Sequence, residues 1–159
     1  MIQLFTELQE KKNVRSNLSA LRASLKEATE EQKAQAIEFV RGHEDLVFGF
    51  LQEEDAKTRK NAALLLGDLA VQNALQPLWK VYTREQTLFV KSAYLEAMKA
   101  LHAEEILSQL KDRLAELEGE PVTEENRKHR EAELRALRAI LIQYEGIDTH
   151  HFDIKQKNN

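Results

Sequence analysis

Sliding this chain against itself by 32 residues brings similar helical segments into register, and that single feature narrows the fold most. Leu46, Leu78 and Leu110 align, as do Phe50, Tyr82 and Leu114, and Leu75 falls on Leu107. In the other helix of each pair Ala34, Leu66 and Met98 align, as do Ile37, Leu69 and Leu101, while Arg59 falls on Lys91. One coincidence among leucines means little in a helical chain. Five apolar columns and one basic one at a single offset, with turns in matching places, indicate a repeated helix pair that buries its apolar face on the next copy. A plain bundle of helices of similar length is the competing arrangement.

The punctuation supports helices and little else. With 5 Gly and 2 Pro in 159 residues, the chain lacks the turn formers that a β-sandwich or barrel needs every 8–12 residues or so. Thr29 and Gln32 have the spacing of a capping box, opening a helix that carries Ala34, Ile37 and Val40 and can stop at Gly42. His43 to Leu51 reads as a short apolar helix, and His43 sits where it can cover backbone carbonyls. Asp55 caps the next helix, which runs to about Ala70 with Ala62, Leu65, Leu66 and Leu69 inward. Asn73 is the expected cap of a helix over about 74–83, with Pro77 early in it, where a missing amide costs no internal hydrogen bond. Thr87 opens a helix to about Leu101, and another runs from about Ala103 to Glu118. Thr123 caps the last, about 124–145, stopped by Gly146. Residues 2–27 read as one broken helix or two short ones. The expected organisation is a helical domain over 1–146 and a polar tail or linker over 147–159.

Asp55-Ala-Lys-Thr-Arg59-Lys-Asn-Ala-Ala-Leu-Leu-Leu-Gly67-Asp-Leu69, followed by Ala74-Leu75-Gln-Pro77-Leu78, resembles a HEAT repeat. The second copy, from Thr87 to Leu101, keeps Val90 and a basic Lys91 but lacks the Asp. The resemblance spans roughly residues 28–118. It implies an all-α, right-handed α-α superhelix of about four helix pairs, armadillo-like in class, in which the second helix of each pair usually lines the concave side. More narrowly, Thr58 to Gly67, Glu85 to Val90 and Thr123 to His129 look like the HEAT-like region that precedes the catalytic module of a bacterial RNA-methyltransferase-type protein. That likeness implies an S-adenosylmethionine-dependent module outside these residues. The chain itself shows no Gly-rich cofactor turn and no Asn/Asp-Pro-Pro-Tyr motif.

Charge and residue chemistry argue for binding rather than catalysis. There are 23 Lys+Arg against 27 Asp+Glu, net −4, where nucleic-acid binders are usually strongly basic. Zero cysteines leave no thiolate nucleophile and no Cys-based zinc site, and fit a reducing cytoplasm. The first residues lack the basic start and apolar run of a signal peptide, and no apolar run is long enough to span a membrane. No His-Glu-x-x-His occurs, and His150-His151 with Asp153 reads as a solvated end. Acidic pairs such as Glu30-Glu31, Glu104-Glu105 and Glu124-Glu125 fall at helix starts, where the macrodipole favours them. No enzyme activity, metal or cofactor is expected.

The expected binding surface is the stripe on the second helices that points away from the core. It comprises Lys57, Lys60, Asn61 and Leu64 in one copy and Phe89, Ser92, Glu96 and Lys99 in the next. Phe89 matches Lys57 at the 32-residue offset, an outward position where the ring either anchors a partner or packs against the next helix. Leu64 is either one apolar contact in a polar frame or simply packed against the adjacent helix. In the last helix Arg127 and Arg130 lie on the same side as Leu134, Leu137 and Leu141, so they either overhang the core or pair with acids such as Glu118 and Glu120. The expected partner is a protein or a covalently following domain. The alternative is RNA, with Lys57, Lys60, Asn61, Arg127 and Arg130 on phosphates. A HEAT-like DNA glycosylase fits less well, because the middle repeats are net acidic.

Overall fold

The computed structural model describes residues 1–145. The expectations for Gly146, for the tail 147–159 and for His150-His151 with Asp153 lie outside the described residues. The chain is all-α: nine helices and two short 3-10 turns, with no strand among the described residues. It divides into two compact units, Met1–Leu101 and the part from His102 onward.

The first unit contains α1 (Ile2–Gln9), α2 (Val14–Leu25), α3 (Glu30–Gly42), α4 (Glu44–Phe50), α5 (Ala56–Asp68), α6 (Leu75–Tyr82) and α7 (Leu88–Ala100). The region 2–27 is therefore two helices. Lys11 and Asn13 turn the chain between them with φ of 56° and 46°, and the Asn17 amide donates to the Lys12 carbonyl at 2.8 Å. Thr29 and Gln32 form the full capping box, and the Asp55 carboxylate accepts from the Thr58 amide at 2.9 Å. Asn73 does not cap: the chain enters α6 through a 3-10 turn, and the Asn73 amide instead reaches Glu44 at 3.1 Å.

The 32-residue register holds well between two copies. α5 and α7 are both 13 residues long and start at Ala56 and Leu88, 32 apart. α6 and α8 (Leu107–Gly119) start at Leu75 and Leu107, also 32 apart. The register fails at α3, which starts at Glu30, 26 residues before Ala56. The expected inward Ala34 is consequently exposed, Ile37 is half-buried, and the buried positions are Ala36 and Val40. At an offset of 26, Val40 falls on Leu66, which restores the match on a different set of residues.

Packing explains why. α5 lies between α2 and α7, so α2 takes the place beside α5 that the register assigned to α3. The three helices run in the same direction. Arg15 near the start of α2 meets Asp55 at the start of α5 at 3.3 Å, and Arg22 near its end meets Asp68 at 2.8 Å. Gly67 near the end of α5 lies against Ala97 near the end of α7. α3 is instead pinned to α1 by a stack of Phe5 on Phe39 and of Phe39 on His43, each 4.5 Å between ring centres. The His43 Nδ1 donates to the Phe39 carbonyl at 2.8 Å, so this histidine does cover a backbone acceptor at a helix end.

α5 buries Thr58, Ala62, Ala63, Leu65, Leu66 and Gly67, because neighbours cover it on both flanks as well as below. Each fully buried leucine contributes about 1.5–3 kcal/mol relative to exposure. α7 buries Val90, Ala93, Tyr94, Leu95, Ala97 and Met98, packed on α5 and α6. What remains outward on each helix is one narrow strip.

The second unit is built on α8 and α9 (Arg127–Glu145). Leu110, Leu114 and Leu117 of α8 and Leu134, Leu137, Ile140 and Leu141 of α9 are buried. Thr123 and Asn126 cap one another across the turn that feeds α9, at 2.8 and 3.2 Å. Glu133 is 2% exposed and receives the Arg113 Nε at 2.9 Å.

Candidate functional site

The strip on α5 and α7 carries every residue that the spacing assigned to it. Lys57, Phe89, Glu96 and Lys99 are exposed, and Lys60, Asn61, Leu64 and Ser92 are half-buried. Lys57 and Phe89 are each the second residue of their helix. Because the two helices run side by side, these equivalent positions are neighbours across roughly the 8–10 Å that separates packed helices. Phe89 is 47% exposed, a large apolar surface with no structural duty in the core. Leu64 falls between its two readings, being neither fully buried nor exposed.

What positions this strip is a polar cluster at the N-terminal ends of α5 and α7. Arg59 grips Glu85 with two parallel hydrogen bonds of 2.9 Å, from Nε to Oε1 and from Nη2 to Oε2. Its Nη1 donates to the carbonyls of Glu53 and Glu54, at 2.9 and 2.8 Å, which closes the end of the preceding turn. Glu85 also accepts from the Thr87 amide at 3.2 Å and from the Tyr94 hydroxyl at 3.1 Å. The Arg59 and Glu85 side chains are only 17% and 6% exposed. Burial pushes the Glu85 carboxyl up, but the guanidinium, the amide and the phenol outweigh it, so the group ionises below the usual carboxylate range. Hydrogen bonding to Glu85 raises Arg59, and burial raises Tyr94. A bidentate pair with its remaining donors placed on carbonyls is a rigid staple, and it fixes where Lys57, Lys60 and Phe89 start. The Lys91 that matches Arg59 in the register makes a different contact, its ammonium lying 5.7 Å from the centre of the Tyr82 ring.

Arg127 and Arg130 belong to the other unit. Arg127 is exposed. Among the described residues Arg130 pairs with no acid and does not overhang: its Nε donates to the Leu117 carbonyl at 3.0 Å and its Nη2 to the Glu118 carbonyl at 3.3 Å. It thus adds a charged donor to carbonyls at the end of α8, where the Leu117 carbonyl also receives the Glu120 amide at 3.2 Å. Replacing Arg130 by Ala should destabilise the chain by about 1–2 kcal/mol, by the loss of charge-assisted bonds, which a urea titration would read.

Nothing local in the sequence marks the interhelical partners of the basic residues on α2 or the pairing of Arg59 with Glu85, because a contact across 26 positions has no local signature. Among the described residues no group of three or more His, Asp or Glu side chains is arranged to hold a metal ion, and no helix is long and apolar enough to cross a membrane. Comparison of the chain with family models, with curated proteins and with solved structures finds no match.

Proposed function

We propose that this chain is a non-catalytic, HEAT-like repeat module that offers the α5–α7 strip to a protein partner or to a neighbouring domain. The observation that carries the reading is Phe89, an exposed ring set among Lys57, Lys60, Asn61 and Ser92 on rigid, side-by-side helices. An aromatic anchor in a polar frame is the usual layout of a transient interface. The parallel stacking of α2, α5 and α7, and the equal lengths of α5 and α7, support the repeat reading and the right-handed superhelix expected from it. The acidic residues in the first turns of α3 and α4 have a helix-dipole role and need no catalytic one.

A photo-crosslinking amino acid placed at position 89 tests this directly in a lysate of the source cells. A protein adduct is expected that is absent when the same group sits at exposed Glu38 on α3 and that weakens at least severalfold when Lys60 and Asn61 become Ala. That double substitution should leave stability within about 0.5 kcal/mol, since neither side chain is fully buried or makes a hydrogen bond or ion pair among the described residues. Loss of folding, or an unchanged adduct, would sink the assignment. An adduct that disappears on ribonuclease treatment would instead favour the RNA-handling alternative, whose affinity should fall with salt at a log–log slope of roughly −0.7 per phosphate contacted on a single strand.

A further inference from the structure

A second surface of the first unit lies where the ends of α2 and α5 meet α3. There a cleft of about 410 Å³ opens to solvent. Leu25, Ile37 and Leu69 give it an apolar floor, and Arg22, Lys26 and Lys33 stand around it with Asp68. Leu69 is held in place because α5 ends in a tight turn. The Val71 amide returns to the Leu66 carbonyl at 3.0 Å, and Ala70 takes the left-handed conformation with φ of 51°.

The charge balance is uneven. Asp68 is taken by Arg22 at 2.8 Å. Lys33 has only a 3.6 Å contact with Glu30, which is 95% exposed and therefore strongly screened. Lys26 is exposed and makes no ion pair among the described residues. Two ammonium groups, one just past the end of α2 and one on α3, thus flank one apolar floor.

We propose that this cleft binds a short acidic peptide segment that places one aliphatic or aromatic side chain on the Leu25–Ile37–Leu69 floor and carboxylates on Lys26 and Lys33. A purely apolar ligand would cover the ammonium groups without neutralising them, which is costly. A basic segment would be repelled. A polyphosphate backbone would leave the apolar floor unfilled. An acidic segment with one apolar residue satisfies both parts, and the cleft volume lies within the range of roughly 300–1,000 Å³ typical of ligand sites. This site stands apart from the α5–α7 strip and does not depend on it.

The test is a two-dimensional amide NMR titration of the full chain with acetyl-Glu-Asp-Leu-Asp-Glu-amide. Shifts are expected at residues 22–26, 33–37 and 67–71, with the strip at 57–64 and 89–99 silent. Changing the peptide's Leu to Ala, or its acids to Lys, should weaken binding about tenfold or more. The variant Lys26→Ala/Lys33→Gln should weaken it about fivefold or more with an otherwise unchanged spectrum, and raised salt should act in the same direction. If the double variant does not fold, Lys26→Ala alone makes the comparison at an exposed position. No shifts at millimolar peptide, equal response to the basic peptide or to the Ala peptide, or unaltered affinity in the variant would overturn the proposal. Shifts confined to the strip would overturn it while leaving the strip reading intact, and cleft shifts without a crosslink at position 89 would do the reverse.

Discussion

Replacing Arg59 by Met is expected to lower stability by about 3–5 kcal/mol, because it leaves Glu85 charged and almost fully buried without its partner. The carbonyls of Glu53 and Glu54 lose their donor in the same step. For a chain of this size that corresponds to a fall in Tm of roughly 10 °C. The effect should depend on pH with a defined sign. Glu85 in the folded protein ionises below its ordinary value of 4.5, so its contribution is present above that value and is lost as pH falls through the folded pKa. In the Arg59→Met variant only burial, the Thr87 amide and the Tyr94 hydroxyl remain, and the unpaired carboxylate takes up a proton more readily. The gap between the two proteins should therefore be widest near neutrality and narrow below about pH 4.5. Urea unfolding at both pH values measures it. A gap under 1 kcal/mol at neutral pH would show that the cluster does not hold the ends of α5 and α7. The further change Glu85→Leu in the Arg59→Met background should recover part of the loss, since it removes the stranded charge.

Enlarging Gly67 is expected to be nearly as damaging. A Cβ at this position would lie 2.9 Å from the Cα of Ala97, and a backbone atom of a packed helix cannot swing aside. Gly67→Ala gains about 1 kcal/mol of helix propensity, yet should still destabilise by about 1–2 kcal/mol, because α5 and α7 must separate along their length. Gly67→Leu should cost about 3 kcal/mol or more. Gly49, in α4, is the internal control: nothing lies within 4 Å of its Cβ position. Gly49→Ala should be neutral or stabilising by up to about 1 kcal/mol. Denaturant melts of the three variants give the comparison. Equal effects at Gly67 and Gly49 would mean that the α5–α7 contact is looser than drawn.

Both results bear on the strip, because Arg59 and Gly67 fasten opposite ends of the two helices that carry it. Loss of either contact should alter the spacing of Lys57, Lys60 and Leu64 relative to Phe89, Ser92 and Glu96, so capture of the proposed partner should suffer along with stability. Substitutions on the strip itself should separate the two readouts, lowering capture alone.

The helices were legible in the sequence because their signals are local. Thr29 with Gln32, and Asp55 with Thr58, set starts within three residues, and the spacing of Leu65, Leu66 and Leu69 set a buried face within two turns. The outward strip followed from the same 3.6-residue period, so Lys57 and Phe89 could be placed on it without coordinates. Three things depended on the tertiary structure. α2 replaced α3 beside α5, which exposed Ala34 and moved the buried face to Ala36 and Val40. Arg130 turned to the carbonyls of α8, and Arg59 found Glu85. The cleft at Arg22, Lys26 and Lys33 arose only once α2 lay against the end of α5. The physical reason is common to all three. Caps and amphipathic periods are decided by neighbours along the chain, whereas the choice of packing partner is decided by which pairing of faces buries the most apolar surface and leaves the fewest polar groups unsatisfied.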